Sequence, residues 1–355
     1  MARDVAESPT MPVATVFDLW LQDGNLVLSA VNAAKTSTIL FRIHMSSLAG
    51  RSEVFDSMLG IPQGENSEQM EVYEGSPLVR LMDSAEDVEA LLRAIYDPYP
   101  VFQRLNRSDT PLRIRQALIM ASKYLMDGLR ERLISIIEQE WPLRLRDMER
   151  RDAIIDDDIA KFGVYSTIEW PDYLIPEPAA AIALAEHPEC HIPSILPAAY
   201  YNLLRCEPTK SWEAALKKIC SSDDARFIIT RDGGKPARWE CLSATSFFKL
   251  LRVQSFVENA LRKHFSYTFL EEIQGCRSRS RSCYTTWIRI LDRSRYRVSF
   301  HIHRLDIFGQ LRDLDRRMTK AYMCYNCHPK YSDRIAMVKT GVWEGLEGIC
   351  CPRLG

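Results

Sequence analysis

The sequence predicts an α+β chain: a small sheet surrounded by helices in the first third, followed by a mainly α-helical C-terminal region. Three observations lead there. The turn Asp23-Gly24 feeds an alternating apolar stretch, Leu26-Val27-Leu28. The stretch Phe41–Leu59 passes from strand alternation at Phe41 and Ile43 to helical spacing at Leu48, Phe55, Met58 and Leu59. Beyond Leu143, apolar segments punctuated by proline read as helices.

Residues 1–14 are polar, carry two prolines and read as a disordered tail. Val16–Trp20 and Leu26–Leu28 are strand candidates around the turn, and Asn32–Thr38 is a polar loop. Ser46 or Ser47 is a good N-cap for one amphipathic helix carrying Leu48, Phe55 and Met58. Ile61-Pro62-Gln63-Gly64 ends that helix, and a loop runs on through Gly75. Val79-Arg80-Leu81 is a further strand. Asp83 or Ser84 caps the next helix, whose early acids suit the N-terminal dipole, and Asp97-Pro98-Tyr99-Pro100 stops it because proline cannot continue a helix. Ala117–Leu133 completes a helix pair, and Trp141-Pro142 marks the end of the first domain, set at 15–140. In the second part (141–355) the helices are Ala179–Ala185, Pro193–Leu204, Ser243–Leu261 and Leu305–Tyr325, with a turn at Asp232–Pro236 and a short alternating strand at Arg297–His303.

The order Phe41-x-x-His44-x-x-x-Leu48-Ala49-x-x-Ser52-x-x-Phe55, the preceding Asp23-Gly24-Asn25 turn, and the downstream Val79–Leu81, Asp83–Tyr96 and Ala117–Leu133 segments together resemble the BTB/POZ fold. The second half resembles the C-terminal region of the fungal, basidiomycete-type, BTB-domain proteins. That likeness rests on Ile195–Tyr201, Leu242-Ser243-Ala244, Cys324-x-x-Cys327 and Trp343-Glu344-x-Leu346. The resemblance implies a protein–protein interaction module that self-associates as a homodimer or recruits a partner, in some relatives a cullin-type ubiquitin ligase scaffold. It makes His44 an architectural residue of the strand-to-helix junction. In one class of BTB dimers an aspartate of the first strand pairs with a basic residue just after the histidine. Asp23 fits the first position, whereas Met45 occupies the second.

Composition bounds the remaining choices. At 355 residues the chain has room for about two domains. A net charge of −1 argues against polyanion binding by the whole chain. Residues 141–190 nevertheless hold 11 acidic and 5 basic side chains, and residues 271–320 hold 12 basic and 6 acidic ones. Such blocks either face each other or solvate two surfaces. No secretory signal and no apolar run of about 18 residues is visible, so a cytoplasmic or nuclear, non-membrane protein is expected.

All ten cysteines follow residue 189. In a reducing compartment they are expected as thiols or metal ligands. Cys276 and Cys283 form one pair and Cys324 and Cys327 another, a four-thiolate set that would suit a structural zinc ion, although the 40 residues between the pairs exceed the usual spacing. His301, His303, His328, Cys350 and Cys351 are competing ligands, and buried apolar-like thiols are the bland alternative. His187-x-x-Cys190-His191 lies beside prolines and reads as loop. The Arg-Ser alternation of 277–282 is a basic loop that would suit phosphate contacts. Asp156-Asp157-Asp158 reads as a solvated turn or helix cap.

There is no phosphate-cradling glycine loop, no Gly-x-Ser-x-Gly and no His-Glu-x-x-His, so no enzyme is expected and no catalytic residue is named. The leading expectation is a non-enzymatic interaction protein. The alternative is a nuclear zinc-containing regulator associated with nucleic acid through the basic 271–320 segment.

Overall fold

A computed structural model describes residues 11–60, 71–98, 109–162, 177–214, 235–264, 283–296, 305–321 and 323–351. The chain divides into two compact units at Ile137/Glu138; Pro188–Cys190 group with the first and Asp109 with the second. The division falls inside a helix, a few residues before the Trp141-Pro142 boundary expected from sequence.

The first unit is α+β. Its strands are β1 (Val13–Trp20), β2 (Leu26–Val31), β3 (Thr38–Ile43), β4 (Val72–Tyr73) and β5 (Ser76–Ser84), in the order β1-β3-β2-β5-β4. β3 runs antiparallel to β2 and parallel to β1, and β5 runs parallel to β2 and antiparallel to β4. The central strand β2 is buried from Leu26 to Ala30 on both faces, the reason it reads as a continuous apolar run. At the β1–β2 turn Gly24 is packed against β3: a Cβ there would meet the Arg42 Cγ at 2.9 Å. Arg42 Nε donates to the Gly24 carbonyl.

The helix expected across residues 48–59 is two helices, α1 (Met45–Ala49) and α2 (Glu53–Leu59). Ser52 makes the break. Its backbone is extended, and its hydroxyl accepts from Phe55 N while donating to the Tyr124 carbonyl at 2.5 Å. The N-cap of α1 is His44, so Ser46 and Ser47 lie inside the helix. Ser84 caps α3 (Ala85–Tyr96), as expected. That helix buries Ala85, Val88, Leu91, Leu92 and Ala94. α4 (Thr110–Lys123) packs on α3, and α5 (Asp127–Glu140) follows. Asp83 joins these layers: Lys123 Nζ pairs with it, and Tyr124 Oη donates to it at 2.5 Å. Tyr124 in turn stacks on Phe55, with ring centroids 4.4 Å apart.

The second unit is mainly helical. Its helices are α6 (Leu145–Phe162), α7 (Pro178–Ala185), α8 (Leu196–Leu204), α9 (Ala244–His264), α10 (Cys283–Tyr296), α11 (Ile307–Lys320) and α12 (Cys327–Cys350). A parallel pair, β6 (Cys206–Ser211) and β7 (Lys235–Ala237), accompanies them. The triplet Asp156–Asp158 lies within α6, where the sequence suggests a turn or cap. The Asp232–Pro236 turn and the Arg297–His303 strand fall wholly or largely outside the described residues.

α7 is apolar on every side and buried at every position except Ala183, as suits an interior helix. Its start is held by Glu177, whose carboxylate accepts from Ala179 N, Ala180 N and Arg238 N. α8 buries Tyr200 and Tyr201, and each hydroxyl enters a polar network. Tyr200 donates to Glu186, which also takes a hydrogen bond from Ser246 and an ion pair from Lys249. Tyr201 donates to Asp306 at 2.6 Å and accepts from Phe308 N at 3.1 Å. Asp306 caps α11 through Gly309 N. Arg205 lies 3.3 Å from Asp152 and 3.5 Å from Asp306, and Arg312 lies 2.9 Å from Asp152. One ion pair, Arg312 with Asp152, thus links the basic and acidic blocks seen in the sequence.

Candidate functional site

Of the four cysteines expected to form one site, three come together. The sulfur atoms of Cys283, Cys324 and Cys327 all lie within 4.8 Å of one another. Cys276 lies outside the described residues. Separate elements supply the three thiols: Cys283 is the first residue of α10, Cys327 is the first residue of α12, and Cys324 is in the turn before α12. That turn is closed by Cys327 N and His328 N, both donating to the Cys324 carbonyl. The Cys324 backbone N–H donates to the Cys283 sulfur at 3.3 Å.

The competing ligands are placed elsewhere. His328 Nε2 lies 3.4 Å from Thr319 Oγ1 on α11. Cys350 ends α12, 23 residues after Cys327, which at 1.5 Å per residue is roughly 35 Å along the helix. Burial pushes its thiol up to about 12. Cys351 donates to the Pro193 carbonyl at 3.0 Å. Cys190 is buried in the loop after α7, as read, with its thiol pushed up to about 11 by burial. None of the described cysteines forms a disulfide. His301, His303 and the Arg-Ser alternation lie outside the described residues.

In the first unit, His44 sits at the junction between β3 and α1. Its ring Nε2 is 3.2 Å from Asp23 Oδ2, and its backbone N–H donates to the Tyr96 hydroxyl at 3.0 Å. The hydrogen bond from His44 holds the exposed Asp23 carboxyl below its usual range. Asp23 lies in the turn after β1 and pairs with His44. The β1 aspartate, Asp18, lies 3.9 Å from Arg93.

Sequence reasoning missed the exposed face of β1. Its pairing with β3 is irregular between Thr15 and Trp20, and within that stretch Phe17 is 92% exposed. Val13 on the same outer strand is also exposed. The signal lay in Val13-Ala14-Thr15-Val16-Phe17, a five-residue run without a charge, which marks an exposed strand only once the strand order is known. A cleft of about 580 Å³ lies near α2, α3 and the start of α5; its lining mixes Arg51, Glu53, Asp56, Asp127 and Arg132 with Ile95 and Leu125. Among the described residues no helix is long and apolar enough to cross a membrane. In comparisons with known proteins, no family model, no curated protein and no solved structure matches this chain.

Proposed function

We propose that this protein acts without bond-making chemistry, as a protein–protein interaction protein whose first unit is a BTB/POZ-type docking module. The observation that carries this reading is the outer strand β1. Among the described residues it has a single neighbour in the sheet, and it displays Phe17 and Val13 to solvent. An exposed edge strand offers backbone donors and acceptors to an incoming strand, and exposed apolar side chains add burial on contact. A sheet edge left in this state is normally covered by charge, proline or a partner. The His44–Asp23–Tyr96 arrangement supports the reading too, because a histidine tied to two neighbours at a helix start is positioned for architecture.

The occupant we favour is a second copy of the same chain. Sedimentation velocity of the full chain and of Phe17→Asp tests this. A dimer that dissociates on substitution is expected; a wild-type monomer at roughly 10 µM would overturn self-association. The cullin-adaptor version relies on apolar exposure along Asp83–Tyr96 and Pro111–Leu133, which take in α3, α4 and the first part of α5. There Leu112 is exposed, with Leu125 just beyond α4. Co-purification with a cullin scaffold is its test.

The alternative, a nuclear regulator bound to nucleic acid through residues 271–320, draws support from the thiol cluster alone. In the described part of that segment Arg312 is engaged by Asp152 and Arg317 by Asp313. Strongly salt-dependent DNA or RNA binding would be its signature.

A further inference from the structure

The start of α10 and the start of α12 lie side by side. Trp287, one turn beyond Cys283, stacks on Tyr331, one turn beyond Cys327, with centroids 4.8 Å apart and planes within 18°. Both rings are buried. This pairing places two helix N-termini, each opening on a cysteine, next to each other. A helix N-terminus favours negative charge and so favours the thiolate over the thiol. Cys324 supplies a third sulfur from the turn, and its own N–H reaches the Cys283 sulfur, the kind of outer hydrogen bond that metal-bound ligands take.

We propose that Cys283, Cys324 and Cys327 bind one zinc ion, which ties α10 to the α12 turn. The dimensions fit. With zinc–sulfur bonds near 2.3 Å, tetrahedral thiolates sit about 3.8 Å apart, and the three sulfurs already lie within 4.8 Å. A shift of about 1 Å or less per sulfur closes the set. Binding releases the proton of each thiol and leaves three Zn–S bonds, with no change of oxidation state. Three soft thiolates select zinc over magnesium or calcium, which take oxygen ligands. Iron–sulfur clusters hold their cysteines farther apart, around several iron atoms. A disulfide would use two of the sulfurs and leave the third without a role. The tetrahedron has one position beyond these three ligands, which a water or a further side chain completes.

The ion would act as a structural staple, going beyond the docking role of the first unit. Two of its ligands belong to helices that must come together before the site exists, so binding energy becomes folding energy for this end of the chain.

The test uses the full-length protein purified from zinc-supplemented cells without chelator. Elemental analysis is expected to find about one zinc per chain, retained in Cys241→Ser and lost in Cys283→Ser and Cys327→Ser. Because those variants could fail to fold, wild-type protein is also titrated with an organomercurial under native conditions. Zinc release read with a chromogenic chelator, together with a cobalt-substituted form showing thiolate-to-metal absorption, supports the site. Zinc-free wild-type protein, retention of the metal in both cysteine variants, or peptide mapping that finds a disulfide among the three cysteines overturns it.

Discussion

Arg312 on α11 lies 2.9 Å from Asp152 on α6, 160 residues earlier in the chain, and both side chains are nearly buried. Arg205 reaches the same carboxylate and also Asp306. Two guanidinium groups and two carboxylates thus pair inside the second unit, with the Arg151 guanidinium also facing Asp152. A buried charge is tolerated when it is paired and hydrogen-bonded, and its partner is stranded when one member is removed. Asp152→Asn is therefore expected to destabilise the unit by about 3 kcal/mol. Chemical denaturation would measure it. Adding Arg312→Gln should recover part of the loss, with a coupling of about 1–3 kcal/mol in a double-mutant cycle.

The same network sets an acid limb. Burial by itself would raise the Asp306 carboxyl, but Arg205, Arg312, the Tyr201 hydroxyl and Gly309 N–H more than offset it and hold the carboxyl below its ordinary range. A carboxyl depressed in the folded state contributes stability that is complete above its unfolded value, about 3.9. That contribution is lost as pH falls through the folded value. Urea midpoints should therefore change little on this account above about pH 5 and decline below about pH 4. Asp306→Asn should flatten that decline; an unchanged acid limb would count against the assignment.

Ser52 performs two tasks with one hydroxyl, capping α2 through Phe55 N and donating to the Tyr124 carbonyl. Ser52→Ala removes the cap and leaves a buried carbonyl short of a donor. The expected loss is about 2 kcal/mol. Hydrogen exchange at Phe55 should accelerate along with the fall in the denaturation midpoint.

Leu125, two residues past the end of α4, has φ of +49° and is half exposed. Met126 N donates to the Ala121 carbonyl across it, the closure of a helix end that glycine normally occupies. Leu125→Gly should stabilise the first unit by about 1 kcal/mol, since the left-handed conformation costs leucine and not glycine. A lowered thermal midpoint would show that leucine's packing outweighs its backbone strain.

Several elements were legible because their cause is local. The Asp23-Gly24 turn, the Ser84 cap, the alanine-rich α7 and the stop at Asp97-Pro98 each depend on neighbours within a few residues. The pairing of Cys324 with Cys327 was legible for the same reason. The single helix read across residues 48–59 was divided in the structure because the Ser52 hydroxyl finds its second partner at Tyr124, 72 residues away.

The sequence by itself determined the strand-to-helix corner at His44 and the thiol-bearing end. Local backbone preferences and apolar periodicity suffice for these. Only the tertiary structure decided that Cys283 joins Cys324 and Cys327, that Asp152 faces Arg205 and Arg312, and that β1 stands at the outside of the sheet with Phe17 exposed. Those relations depend on helices and strands brought together from distant positions by burial of their apolar faces. Burial is non-directional, and no spacing along the chain encodes which residues it will place side by side.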